Sequence, residues 1–341
     1  MDVLMELMDI LSVSGNENAV RSYLIKKIKP HCKDFKVDKF GNLIVHKKGK
    51  GPSVMLVAHM DEIGLIVKSI SKLGIMHVSM IGGIEPIACM NQKVVLVTKS
   101  GKKIKGVIST ANLSDGEEQK ELPKTEDLIV DTGLSKSELQ KLEAGIGTFL
   151  QFEQKTDTLG SKDIVCGKAA DDRVGCYILL ELIHRIKTSS SDIYFVFTVQ
   201  EEVGLYGART SIYNLNPEWS VVVDVTQADD ICEDWHDGTR LLGYGPTLTI
   251  MDVELLSNPC LNDNIKAIAK RKKIPLQLEV TNKGTTDALE ISLSKGGIPT
   301  TVLGVPVRNL HSGVSVVHRK DIENAIKIIE DLLKHPPKIC I

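Results

Sequence analysis

The chain has 341 residues, of which 42% are hydrophobic and 25% are charged, a composition typical of globular proteins rather than of disordered or fibrous chains. Its 42 Lys and Arg residues almost balance its 44 Asp and Glu residues, so the formal net charge is −2. This balance argues against a function that depends on a general attraction to nucleic acids or to anionic membranes.

The chain has no sequence signal for export or for membrane insertion. Its first residues lack the basic stretch and long apolar stretch of a signal peptide, and no run approaches the ~18 apolar residues of a membrane span. The seven cysteines are an odd number without a CxxC motif. We therefore expect reduced thiols, a cytoplasmic location and no membrane contact.

The first half of the chain begins with helices and continues with strands. Apolar spacing predicts two short helices before residue 29, then a hairpin around Phe40-Gly41-Asn42 and a buried strand in SVMLVAHMD. From about Lys68 to Lys155, short alternating runs such as QKVVLVTK and KKIKGVIST predict a small β-rich unit.

The second half alternates strands with helices. The predicted order is a helix near 172–186, strands IYFVFTV and SVVVDV, a helix near 261–271, strand PLQLEV, a short helix after Asp287, strand IPTTVLGV and a helix near 321–333. This alternation indicates an α/β fold with a mostly parallel sheet covered by helices on both faces. We predict a discontinuous α/β domain at 1–67 and 160–341, with a β-barrel-like domain inserted at 68–159.

Several apolar strands are followed by side chains that bind metals well. In open α/β sheets, ligands bind beyond the carboxyl ends of the strands, so such residues can converge from distant parts of the chain. The polar residues at these positions are His59 and Asp61, Glu201 and Glu202, Asp224, and His311 after a short loop.

A further pair of carboxylates, Asp171 and Asp172, lies where a helix is predicted to begin. Asp172 could bind a metal or could instead cap that helix, and its position in the sequence does not decide between these two roles. The combined nitrogen and oxygen donors, with no cysteine nearby, suit zinc, cobalt or manganese. Two divalent ions would be neutralised by Asp171, Glu202, Asp224 and one bridging hydroxide.

The adjacent Glu201 and Glu202 are difficult to explain without a cation, because two ionised carboxylates at a sheet edge repel each other. In an extended segment their side chains point to opposite sides, so one can bind metal while the other accepts a proton from water. Asp61 is placed to accept a hydrogen bond from the second ring nitrogen of His59.

Six blocks in this order resemble the dinuclear-metal aminopeptidases of the glutamyl-aminopeptidase and tetrahedral-aminopeptidase kind. The blocks are AHMDEIG (Ala58 to Gly64), GKAADDRVG (Gly167 to Gly175), TVQEEVGLYGA (Thr198 to Ala208), DVT (Asp224 to Thr226), GTTDA (Gly284 to Ala288) and RNLHS (Arg308 to Ser312). The segments MIGGIEPIACMNQKVVLVTKSGKKIKGVI and TEDLIVDTG are similar to that family's inserted β domain.

The resemblance implies a metallo-exopeptidase fold and a role for each site residue. His59 and Asp224 would hold one metal, Glu202 and His311 the other, with Asp171 bridging both. Glu201 would be the general base, and Asp61 would support the first histidine. A cis peptide bond between Asp171 and Asp172, and a twelve-subunit tetrahedral homo-oligomer, are also implied.

The predicted function is metal-dependent removal of N-terminal residues from short peptides by a metal-bridging hydroxide. Asp287, in the GTTDA block, could bind the substrate's ammonium group or cap the helix that it precedes. Relatives commonly differ at Ala170, Tyr206 and the residues beside Arg308, which leaves substrate preference open. The alternatives are a metal-dependent deacylase or carboxypeptidase on the same scaffold, and a catalytically silent oligomeric binding protein.

Overall fold

The fold is described from a computed structural model, which covers residues 2–98, 100–118, 120–231, 234–337 and 340. The strands form two separate sheets. Their bounds are β1 (Phe35–Val37), β2 (Leu43–Lys47), β3 (Ser53–His59), β4 (Gly64–Ile70), β5 (Met76–Ile81), β6 (Lys93–Val97), β7 (Lys103–Thr110), β8 (Leu128–Asp131), β9 (Phe149–Phe152), β10 (Asp157–Leu159), β11 (Ser161–Gly167), β12 (Asp192–Thr198), β13 (Trp219–Gln227), β14 (Thr247–Met251), β15 (Gln277–Val280), β16 (Thr300–Arg308) and β17 (Ser315–His318).

Most of the helices lie in the chain segments that also form the larger sheet. Their bounds are α1 (Val3–Asp9), α2 (Asn18–Ile28), α3 (Pro86–Cys89), α4 (Ala111–Ser114), α5 (Lys136–Lys141), α6 (Ala170–Arg185), α7 (Tyr206–Ser211), α8 (Pro259–Lys272), α9 (Ala288–Ser292) and α10 (Arg319–Lys334). The predicted helices of the second half correspond to α6, α8, α9 and α10, within about two residues at each end.

The larger sheet runs in the order β1-β2-β12-β3-β13-β16-β17-β11-β10, with β14 beside β16 and β15 beside β14. Its central strands β12, β3, β13 and β16 are parallel, and antiparallel pairs flank them. The predicted α/β fold with a large, mostly parallel sheet is therefore confirmed. β3 and β13 are buried along almost their whole length, as expected for central parallel strands.

Successive residues of β3 pack into two different cores. Val54, Leu56 and Ala58 belong to the core that includes residues of α1, α2, α6, α8 and α10. Met55 and Val57 belong to a smaller core that includes residues of α7 and α9. Because side chains alternate across a strand, this central strand is fixed from both sides, and so is its carboxyl end at His59.

The smaller sheet is a closed antiparallel barrel in the order β4-β5-β8-β7-β6-β9. Its interior is a core of its own, made largely of Leu, Val and Ile side chains. This barrel corresponds to the predicted β-rich unit, and β6 pairs with β7 as the runs beside Gly101 suggested. The division into domains at 68–159 stays a prediction.

Outside the barrel, strands β10, β11, β14 and β17, helix α7 and one disulfide bond were not predicted. β14 and β17 both pair with β16, so they complete the sheet beside the site. The expectation of reduced thiols is wrong for Cys260 and Cys340, which form a disulfide with Cα atoms 5.3 Å apart. Packing of α8 against α10 brings these positions together across 80 residues of sequence, which no local spacing indicates.

Among the other described cysteines, Cys32, Cys89, Cys166 and Cys176 are free, while Cys232 lies outside the described residues. Within those residues, no helix combines the length and the apolar character that a membrane span requires.

Candidate active site

The site lies where the central parallel strands end. β3 ends at His59, and the parallel β12 ends beside it at Thr198, three residues before Glu201. On the other side of β3, β13 carries Asp224 in its second half. The sheet therefore brings together residues that are more than a hundred positions apart in sequence, at the edge where α/β folds bind ligands.

Asp171 lies between the two histidines. Its Oδ1 atom is 2.8 Å from His59 Nε2, and its Oδ2 atom is 3.1 Å from His311 Nε2. The Asp171–Asp172 peptide bond is cis, and both residues have non-helical backbone angles at the start of α6. One carboxylate thus faces two imidazoles, one with each oxygen.

The other carboxylates of the site lie around the two histidine rings. Glu202 Oε2 lies 3.5 Å from His311 Nε2, while Asp224 Oδ1 and Glu201 Oε2 each lie 3.9 Å from His59 Nε2. Two groups of three side chains have ligand atoms within 4.8 Å of one another: His59, Asp171 and Glu202, and His59, Asp172 and Asp224. All five predicted metal ligands and the predicted base therefore come together at one place.

Asp61 lies behind His59 and joins two segments of the site. It accepts hydrogen bonds from the Ser14 hydroxyl and from the backbone N–H groups of Glu201 and Glu202. Its Oδ1 atom is 3.5 Å from His59 Nδ1, which has no hydrogen-bond partner in the described part of the chain. The carboxylate thus fixes the Glu201-Glu202 backbone as well as facing the histidine, a role that the sequence did not indicate.

Asp172 acts as a cap in this structure. Its carboxylate accepts hydrogen bonds from the backbone N–H of Gly175, at 2.8 Å, and from that of His59, at 3.3 Å. The first is the bond expected of a residue that begins a helix, and it starts the regular part of α6. Asp171 and Asp172 are adjacent, yet only Asp171 lies within hydrogen-bond distance of both imidazoles.

Asp287 is buried near the site and does not cap α9 with its side chain. Its Oδ2 atom accepts a 2.6 Å hydrogen bond from the Thr198 hydroxyl, and its Oδ1 atom has no partner among the described residues. The capping alternative is therefore wrong. A buried carboxylate oxygen without a donor is costly, so a cationic group is a suitable partner for it.

Burial and crowding change the acidity of nearly every group here. Burial, reinforced by neighbouring carboxylates, raises the pKa of Glu201 well above its usual value, that of Glu202 to about 8 and that of Asp224 to about 7. Burial opposes charge on His311, but Asp171 and Glu202 outweigh it and raise its pKa to about 9. Hydrogen bonds from His311 and His59 lower the pKa of Asp171 despite its burial.

These donors fit divalent metal ions. Ligands about 2.0–2.2 Å from a tetrahedral zinc ion lie roughly 3.3–3.6 Å from one another, close to the 2.8–3.9 Å spacings between the histidine and carboxylate atoms here. Glu202 Oε1 is buried and has no partner among the described residues. Several buried carboxylates around two imidazoles are stable together only if cations or protons neutralise them.

A second group of buried charges, which was not predicted from the sequence, lies next to the site. Glu62 accepts hydrogen bonds from Lys168, at 2.7 and 2.8 Å, and from Arg173, at 3.3 Å. Arg173 also donates to the backbone oxygens of Met60 and Leu7. Lys168 and Arg173 lie within the GKAADDRVG block and Glu62 within AHMDEIG, and this placement was the sequence signal available for a buried ionic group, since Lys and Arg are rarely fully buried without partners.

The sequence and the fold both match known aminopeptidases. Residues 41–328 match the model of the family described as M42 glutamyl aminopeptidase. A lysyl aminopeptidase of Pyrococcus furiosus is 33% identical over 341 residues, covering 98% of this chain and 96% of that protein.

Two solved structures are similar over nearly the whole chain. An aminopeptidase of the archaeon Desulfurococcus kamchatkensis has a TM-score of 0.93 and 33% identity, covering 98% of this chain and 94% of that one. The TET1 peptidase of Pyrococcus horikoshii, described as able to assemble into a tetrahedron or a large octahedral shell, has a TM-score of 0.86 and 32% identity, covering 97% and 98%.

Proposed function

The chain belongs to the M42 family of glutamyl aminopeptidases, and on that premise we propose that it removes N-terminal residues from short peptides with the help of two divalent metal ions. One observation carries the proposal: the two oxygens of Asp171 face the Nε2 atoms of two different histidines, at 2.8 and 3.1 Å. A carboxylate in this position is suited to bridge a pair of ions.

The ligands divide into two sets around that bridge. His59 and Asp224 would hold one ion, and Glu202 and His311 would hold the other. Asp61 fixes the backbone of Glu201 and Glu202 by accepting hydrogen bonds from their N–H groups. Zinc is the metal that this donor set fits best, with cobalt or manganese as alternatives. When bound, such a pair polarises a scissile carbonyl and lowers the pKa of a shared water.

Glu201 is the residue that we assign to proton transfer. Its Oε2 atom lies 3.9 Å from His59 Nε2, and burial raises its pKa well above the ordinary glutamate value. The carboxylate form of such a group is a stronger base than an ordinary glutamate, so it can take the proton of the attacking water and then give it to the leaving amine. Asp61 accepts the backbone N–H of Glu201 and so fixes the residue that carries this carboxyl.

Metal analysis and a substrate panel test this function together. The purified protein is expected to contain two divalent ions per chain, to lose activity with a chelator and to regain it with zinc, cobalt or manganese. Peptides with a free amino terminus should be cleaved, whereas N-acylated peptides should not. Preference for N-acylated or for C-terminally cleaved substrates would favour the deacylase or carboxypeptidase alternative, and metal without hydrolysis would favour the silent binding protein.

Metal binding is expected to release protons, because the metal-free site holds them at neutral pH. The raised pKa values of Asp224, about 7, Glu202, about 8, and His311, about 9, mean that these groups are partly or fully protonated there. Ions bind the deprotonated forms, so affinity should rise with pH through this range. Calorimetry in buffers of different ionisation enthalpy measures the protons released; a pH-independent affinity would contradict this charge balance.

Asp287 is our candidate for binding the ammonium group of the substrate. Because a hydrogen bond to a charged group contributes about 1.5–3 kcal/mol, Asp287→Asn should raise KM for free-amine peptides by ~10–100-fold. Asp252→Asn is the control, since Asp252 is also buried and also has a raised pKa. An unchanged KM in Asp287→Asn would exclude this role.

We also propose that the chain forms a homo-oligomer. The support is its similarity, over 97% of its length, to a TET1 peptidase that is described as assembling into a tetrahedron or an octahedral shell. Light scattering of the purified protein gives the number of subunits. A mass near twelve chains is the expected result for a tetrahedral particle.

A further inference from the structure

One loop of the small barrel reaches the proposed metal centre. Residues 82–85 connect β5 to α3, and the carbonyl oxygen of Gly83 lies 2.9 Å from His311 Nδ1. A carbonyl oxygen only accepts hydrogen bonds, so His311 must donate from Nδ1. When His311 is neutral, as a metal ligand must be, its hydrogen is therefore on Nδ1, and the lone pair of Nε2 is free and faces Asp171 and Glu202.

Side chains on Gly82 or Gly83 would crowd the residues that this loop contacts. A Cβ atom on Gly82 would lie 2.7 Å from Ile63 Cγ2 and 3.1 Å from Glu202 Oε2. A Cβ atom on Gly83 would lie 3.1 Å from His311 Nδ1. The two adjacent glycines therefore let the barrel backbone approach both Glu202 and His311, which are the two residues assigned to the same ion.

His311 needs such support more than His59 does. The His59 side chain is 2% exposed at the end of a central strand, whereas the His311 side chain is 38% exposed and lies in a loop after β16. Asn309 and His311 both have a positive φ, so this loop is not a regular extension of the strand. Sheet packing orients the first histidine, and the barrel backbone supplies a corresponding contact for the second.

We propose that the Gly82-Gly83 loop completes the second metal site, with the Gly83 carbonyl as a positioning group that selects the Nδ1–H form of His311 and aims Nε2 at the ion. The inference deepens the proposed function and rests on its two-metal centre. On this proposal the barrel contributes to the metal centre, because its Gly83 carbonyl makes a contact on which binding of the second ion depends.

Gly83→Ala is the test, with Gly145→Ala as its matched control. Gly145 lies in the barrel segment before β9, and a Cβ atom there would meet no other atom within 4 Å. Binding of zinc to the metal-free proteins is measured by equilibrium dialysis, and the melting temperature of each metal-free variant is recorded. A Cβ atom at position 83 would lie 3.1 Å from His311 Nδ1, so it should push the ring away from the Gly83 carbonyl. Loss of such an outer hydrogen bond to a metal-binding histidine commonly weakens metal affinity by ~10–100-fold.

We expect Gly83→Ala to bind its first zinc ion normally and its second about 10–100-fold more weakly, with the melting temperature of Gly145→Ala. The inference is overturned if Gly83→Ala binds both ions with the wild-type affinities, or if it loses both to the same degree. These outcomes are distinct from failure of the proposed function, which would appear as fewer than two zinc ions in the wild-type protein itself.

Discussion

Glu201→Gln is expected to lower kcat by about 10²–10⁴-fold, the usual contribution of a positioned general base, while the protein keeps its metal. The amide has nearly the same shape as the carboxylic acid, but it cannot accept the proton of the attacking water. The loss should be specific to proton transfer, because Glu201 is not one of the residues that we assign to a metal. Steady-state kinetics and metal analysis on the same sample provide the measurement.

Glu202→Gln is the matched control, because it makes the same chemical change at the adjacent residue. Glu202 Oε2 lies 3.5 Å from His311 Nε2, and we assign this carboxylate to the second ion. That variant should lose metal as well as activity. If Glu201→Gln kept wild-type turnover, or if it lost metal as Glu202→Gln does, the assignment of Glu201 as the base would be wrong.

Asp171→Asn should have the largest effect on metal content, since it removes the charge that we assign to both ions. Losing an outer partner costs about 10–100-fold in affinity, so loss of a shared ligand should cost on the order of 100-fold or more for each ion. Activity should fall to that of the metal-free protein. Metal analysis after dialysis against a weak chelator would reveal the loss.

The neighbouring Asp172→Asn provides the control. Asp172 accepts hydrogen bonds from the backbone N–H groups of Gly175 and His59, and the side-chain oxygen of asparagine can accept the same bonds. We expect this variant to retain both ions. The reverse result, with metal lost from Asp172→Asn and kept by Asp171→Asn, would move the ion into the cluster of His59, Asp172 and Asp224.

The convergence of the site could be predicted from sequence because it depends on a local rule. Strands that end in His59 and just before Glu201 are neighbours in a parallel sheet, and parallel strands deliver their carboxyl ends to one edge. The apolar runs located these strands, and the polar residues after them supplied the donors. The predicted bounds of the second-half helices also agree with the observed bounds, because amphipathic spacing and helix caps are local signals.

Contacts made across the fold could not be predicted in this way. The Gly83–His311 hydrogen bond joins the barrel to the sheet across 228 positions, and the Ser14–Asp61 bond spans 47. The Cys260–Cys340 disulfide depends on how α8 packs against α10, and it removes those two residues from the argument for a reducing compartment. The cytoplasmic location stays a prediction.

The hydrogen-bond partners of Asp61 also differ from those expected from the sequence. The spacing of the two residues suggested a simple pair with His59, whereas the carboxylate accepts from Ser14 and from two backbone N–H groups and lies 3.5 Å from the ring nitrogen. Competition among several donors for one carboxylate is a three-dimensional property, which residue order does not encode.

A crystal structure of the zinc-loaded protein, with anomalous scattering recorded at the zinc edge, tests the central claim most directly. Two peaks about 3.5–4 Å apart are expected, with one oxygen of Asp171 on each ion, His59 on one and His311 on the other. A single peak, or two peaks that do not share Asp171, would contradict the account.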